Sequence, residues 1–146
     1  MTTEERQKMK RKNIYKSVLF FLVMGTIFFA CQQEDTNPSS TDRDKFLGTW
    51  ITHSSGPVHG ALDFTMTITA GTSSAAQVKI ENFDEEGAGT FIFGEVSGNN
   101  LSLTQTTING DLITGSGTYN SNGTLSFTYT VNDGQTSDSR TATAHK

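Results

Sequence analysis

Histidines, a cysteine and a short acidic run are the residues in this chain whose types could carry chemistry. His53 and His59 flank Gly56-Pro57, and with a carboxylate such as Asp63 they could make a metal site. Their spacing matches no metal motif, so loop histidines are the expectation. His145 stands apart. Asp84-Glu85-Glu86 offers oxygen atoms to a hard cation, but calcium loops alternate their ligands around a glycine turn. A consecutive acidic run ending in Gly87 is expected at a solvated hairpin tip. The sequence contains neither a nucleophile elbow nor a phosphate-cradling glycine loop. It assigns no carboxylate pair to hydrolysis. A non-enzyme without metal or cofactor is therefore expected.

Cys31 is the lone cysteine, so an intramolecular disulfide is excluded. Its neighbours give it a different chemistry. Residues 1–16 carry Arg6, Lys8, Lys10, Arg11, Lys12 and Lys16, and residues 17–30 (SVLFFLVMGTIFFA) are apolar but for two hydroxyls and a glycine. This is the plan of a secretory signal peptide. Its 14 apolar-segment residues fall short of the roughly 20 that a helical span needs. Phe28-Phe29-Ala30-Cys31 resembles a lipobox, although the two phenylalanines are bulkier than the family's usual residues. The resemblance implies cleavage before Cys31, a diacylglycerol on its sulfur, and a Gram-negative outer-membrane lipoprotein. Gln32-Gln33-Glu34-Asp35 is similar to the acidic signal that sends some such lipoproteins to the cell surface; a solvated linker is the alternative.

The tether, residues 31–45, is polar and rich in turn formers, with Pro38 its one apolar residue between 32 and 45. Six of the 11 basic and two of the 15 acidic residues precede Cys31, which leaves the mature chain five basic against 13 acidic, a net charge of −8. Such a chain repels nucleic acid and anionic lipid surfaces. A monomer held at the membrane by its lipid is expected.

The domain follows, from residue 46 to 146. Turn residues recur at the interval of an all-β sandwich or barrel. Eight strands are predicted, at 48–54, 61–70, 75–83, 89–96, 100–108, 112–120, 124–132 and 136–145. The connections are too short for parallel crossovers and contain Asn-Gly and Asp-Gly hairpin turns. An antiparallel up-and-down meander results, and eight strands can close it into a barrel. Alternation sets the inward faces: Leu62, Phe64, Met66, Ile68 and Ala70; Ala76, Val78 and Ile80; Leu101 and Leu103; Leu125, Phe127, Tyr129 and Val131. The strand at 89–96 is ambiguous, with Phe91 and Phe93 on one side and Ile92 and Val96 on the other.

The stretch Phe46-Leu47-Gly48-Thr49-Trp50 opens this run. A Phe-Leu pair suits a helical turn plugging one barrel end, and Gly48 lets the chain leave that turn. Gly48-x-Trp50 after a helical turn, with eight strands behind it, resembles the first-strand signature of lipocalins and the wider calycin group. The resemblance covers residues 42–146 and implies a lipocalin-like barrel. In lipocalins an arginine on the last strand packs over this tryptophan, which implies a cation–π contact between Arg140 and Trp50. Arg140 shares parity with Ala142 and Ala144, a small apolar face. The chain is short for that family, and no helical segment follows its last strand.

Two functional classes remain. In the first, Phe64, Met66, Phe127 and Tyr129 line a site for one small apolar or amphipathic ligand, the most that an eight-strand barrel holds. In the second, those residues are plain core. The filled barrel is then an envelope interaction module that binds a protein or glycan through its loops, with an apolar patch around Ile92 and Val96 as its sign.

Overall fold

The computed structural model describes residues 40–146. Cys31, the signal peptide at 1–30 and the tether up to residue 39 lie outside the described residues. No described helix is long and apolar enough to cross a membrane.

A short helix α1 (Ser40–Asp44) opens the domain and hands the chain to a turn at Lys45-Phe46-Leu47. Gly48 has φ +124°, a backbone state that an L side chain rarely adopts. Eight strands follow: β1 (Gly48–Gly56), β2 (Gly60–Ala70), β3 (Gln77–Glu81), β4 (Phe91–Ser97), β5 (Asn100–Ile108), β6 (Asp111–Tyr119), β7 (Leu125–Asn132) and β8 (Ser137–His145). Each pairs antiparallel with the next, and β8 returns to β1 with Ser54 opposite Ala142, closing the barrel. Closure leaves no free sheet edge. The Asn109-Gly110 turn has positive φ at both residues, as a type I′ hairpin requires.

Side-chain alternation is as expected on β3 and β7, and on β2 as far as Ile68; Ala70, expected inside, is exposed where β2 runs out at the barrel end. Met66, Ile68, Val78, Ile80, Leu125, Phe127 and Tyr129 are buried inside. On β5 the pairing register with β6 shifts between Leu103 and Thr106, so the inward face passes from Leu101 and Leu103 to Ile108. One extra residue in a strand switches its faces in this way. On β4 the structure decides the ambiguity. Ile92 and Val96 point into the core and are fully buried. They form no surface patch. Phe91 and Phe93 face outward, with ring centroids 5.4 Å apart.

The predicted strand at 75–83 is too long. β3 stops at Glu81, and residues 82–90 form a connection containing a single 3-10 turn, Phe83–Glu85. That turn lies over one end of the barrel. The other end is covered by the residues just before β1.

Candidate functional site

Trp50 and Arg140 both point into the barrel, but at opposite ends. Strand pairing sets Thr52 opposite Ala144, which brings Trp50 level with Lys146. Arg140 lies six residues back along β8, roughly 20 Å at the usual rise. The expected cation–π pair therefore does not form. Lys146 takes that place, its Nζ 4.6 Å from the Trp50 ring. The indole N–H donates to the carbonyl of Phe46 at 2.8 Å.

Arg140 organises a different cluster. It is 1% exposed. Its Nη1 donates to Asp138 Oδ2 at 2.8 Å and its Nη2 to Ser54 Oγ at 2.8 Å. Nη2 also reaches the carbonyl of Gly60 at 3.2 Å. Nε lies 3.1 Å from Asp84 Oδ1 and 3.3 Å from the Tyr129 hydroxyl. The Tyr129 hydroxyl donates to the same Asp84 oxygen. One guanidinium thus holds two carboxylates, one from its own strand and one from the β3–β4 connection.

The two carboxylates differ in their support. Asp138 is fully buried on β8 and accepts the backbone N–H groups of Val58 (3.2 Å) and His59 (3.1 Å), with the His59 ring Nδ1 also at 3.2 Å. Burial opposes its charge, but those N–H groups and Arg140 outweigh it and hold its pKa below the usual aspartate value. Burial also acts on Asp84 and there prevails over Tyr129 and Arg140, so its pKa is raised. Tyr129 is pushed far above the ordinary tyrosine value, first by burial and then by Asp84. Gly56 makes the corner possible. A β-carbon there would lie 2.5 Å and 2.6 Å from the Asp138 carboxylate oxygens.

The turn that delivers Asp84 has an unusual backbone. Asn82, Asp84 and Glu85 have φ of +56°, +57° and +65°. Left-handed conformations of this kind are costly for residues with a β-carbon. Asn82 tolerates the state best, and its side chain both donates to Thr65 O at 2.9 Å and accepts from Gly87 N at 2.8 Å. Asn109 Nδ2 ties Glu86 from the β5–β6 turn at 2.9 Å. Asp84 therefore does not sit on a solvated hairpin tip, its side chain being only 7% exposed, although Glu85 beside it is exposed.

Phe83 enters the barrel beside Asp84. Its ring centroid lies 6.4 Å from that of Phe64, 5.4 Å from Phe127 and 4.8 Å from Tyr129, all edge-to-face. The structure thus brings Phe64, Phe127 and Tyr129 together, with buried Met66 in the same core, but around a ring that the chain itself supplies. Sequence reasoning missed Phe83, Asp138 and Ser54, and it placed Asp84 on a solvated turn. Asp138 carried a signal: an acid two residues before Arg140 shares its face, and a buried arginine needs such a partner.

The histidines do not converge. His53 Nδ1 lies 2.6 Å from Asp63 Oδ1 on the outer surface, while His59 sits at the rim beside Asp138. Among the described residues no three His, Cys, Asp or Glu side chains are grouped to hold a metal. At the Arg140 corner a guanidinium and a phenol already hold the chain's own Asp84 carboxylate.

No family model and no curated protein matches the chain. Among solved structures, a redesigned β barrel does, with a TM-score of 0.50 and 16% identity over 72% of this chain and 94% of that one. The fold is an eight-stranded antiparallel β-barrel. At that identity the likeness concerns fold alone.

Proposed function

We propose that the chain is a lipid-tethered, non-enzymatic binding protein of the cell envelope whose barrel takes one small amphipathic molecule. The observation that supports this most is the asymmetry of the interior. Apolar walls from Phe64, Met66 and Phe127 lead to a single polar corner, Arg140 with Tyr129. Pockets for amphipathic molecules are built in this way, from apolar lining and a few convergent polar groups. Mass spectrometry of material extracted from natively purified protein tests the reading. A stoichiometric co-purifying small molecule is expected, and repeated extraction without one counts against it.

A second reading has its own observation. Phe83 already fills the space between Phe64, Phe127 and Tyr129, and Phe91 is 41% exposed beside Phe93. Lys79 Nζ sits 4.2 Å from the Phe91 ring. A filled barrel that binds a protein or glycan through its exterior would look like this. Replacing Phe91 and Phe93 by serine would then abolish binding, whereas a ligand in the interior would be unaffected.

The tether rests on Cys31. Cys31→Ala is expected to leave an uncleaved precursor or to move the protein from the detergent phase to the aqueous phase. Unchanged partitioning would remove the lipid anchor from the proposal.

A further inference from the structure

We propose that Phe83-Asp84 is an internal occupant of a carboxylate site formed by Arg140 and Tyr129, and that the ligand is an apolar carboxylic acid that displaces it. This rests on the ligand-binding reading above and narrows it to one chemical class.

Three observations converge on the exchange. The first is electrostatic. Arg140 is already matched by Asp138, which is buried and receives two backbone N–H groups as well as the guanidinium. Asp84 is a second anion at a site with one fixed cation, and burial raises its pKa. The second is conformational. Asp84 reaches the corner only through a connection with three non-glycine residues in left-handed backbone. Strain at such positions persists when surrounding structure imposes it and is common at ligand clamps and switches.

The third is shape. The pair presents a ring and a carboxylate side by side. The ring lies against Phe64, Phe127 and Tyr129, and the carboxylate takes the Tyr129 O–H and the Arg140 Nε. An apolar acid offers the same two features in one molecule.

The exchange keeps the charges balanced. A ligand carboxylate entering as Asp84 leaves restores the same three charges at the corner. A neutral head group would leave Tyr129 and Nε without their anion. Withdrawal of residues 82–90 also breaks no strand pair, since β3 ends at Glu81 and β4 begins at Phe91.

The test uses the full chain in detergent, with 3-phenylpropanoate and its neutral match 3-phenylpropan-1-ol, read by calorimetry. In the double variant Phe83→Ala/Asp84→Asn the site is vacated. The acid should bind it at least about tenfold tighter than it binds the unsubstituted chain, and about tenfold tighter than the alcohol binds, as expected for hydrogen bonds to a charged group. Tyr129→Phe on that background should weaken the acid and leave the alcohol unchanged. If acid and alcohol bind the double variant equally well, the carboxylate assignment is overturned while the ligand reading stands. If neither binds a double variant that keeps its β-sheet circular dichroism, both fall. Should the double variant fail to fold, Asp84→Asn alone decides: it should favour the acid over the alcohol, and no preference overturns the proposal.

Discussion

At the Trp50 end, Phe46 and Trp50 are both fully buried, and the indole N–H bonds to the carbonyl of Phe46 four residues earlier. Tyr119 meets the Phe46 ring edge-on at 5.8 Å, and Lys146 lies over the indole. The backbone strain there falls on Gly48, where it costs little. At the Arg140 end the cover is also an inserted aromatic ring, but it comes with a carboxylate, onto a buried cation. Its left-handed residues are Asn82, Asp84 and Glu85. The same task, stopping the end of a small barrel, is done once with apolar packing and relaxed backbone and once with paired charge and strain. The first arrangement suits permanence. The second stores cost that another molecule could relieve.

Deleting each plug ring sharpens this contrast. Trp50→Ala is expected to cost about 3–5 kcal/mol, the range for large buried aromatics. Phe83→Ala removes a buried ring too, but it also loosens a strained turn whose release returns of order 1 kcal/mol. Its cost should therefore be smaller by about that amount. Urea unfolding of both variants measures the difference, and equal losses would mean that the two ends are energetically alike.

The two aspartates divide the Arg140 end itself. Asp138→Asn leaves the buried guanidinium with the loop carboxylate alone, and breaking a buried pair costs about 3 kcal/mol or more. Asp84→Asn leaves Arg140 still matched by Asp138, so about 1 kcal/mol is expected, the scale of one net hydrogen bond. A reversed order would make Asp84 the structural partner and Asp138 the dispensable one.

Much of this was readable from residue pattern. Alternation placed the strands and the inward faces of β2, β3 and β7, because a half-buried strand repeats every two residues. Gly48 and Phe46 announced one plug. The other plug was hidden by its polarity: Asp84-Glu85-Glu86 has the composition of a solvated turn. Nothing local reveals that Asp84 finds Arg140, 56 residues on in sequence. That pairing exists only once the barrel closes. Arg140 was misplaced for a related reason. Strand parity gives a residue's face but not its height, and height decides whether it meets Trp50 or Asp138.

Titration separates the aspartates at smaller energies. As pH falls from neutral, Asp84 should protonate above the ordinary value of 3.8, while Asp138 should remain ionised until below it. For Asp84 the folded state binds the proton more tightly, so stability rises as pH falls through the window above 3.8. For Asp138 the unfolded state binds it more tightly, and its contribution is lost only as pH falls below that value. Carbon-detected NMR of the carboxyl groups reads both. The stability of the unsubstituted chain relative to Asp84→Asn should grow as pH falls toward 3.8, and a gap independent of pH would contradict the buried placement of the Asp84 carboxyl.

The smallest effect tests the strain directly. Glu85 is exposed with φ +65°, and no hydrogen bond fixes its side chain among the described residues. A β-carbon in this conformation costs about 1–2 kcal/mol. Glycine removes that cost but gives the unfolded chain more freedom, worth about 0.5–1 kcal/mol. Glu85→Gly should therefore stabilise the domain by about 0.5–1 kcal/mol in urea unfolding. The gain belongs to the plugged state alone, since a withdrawn connection leaves Glu85 free to adopt any backbone state. A ligand that must displace Phe83-Asp84 then binds about two- to fivefold more weakly, the same free energy expressed as affinity. Stabilisation without that loss would place Phe83-Asp84 outside the path of the ligand. Destabilisation would show that the connection is held by its surroundings and stores nothing at Glu85.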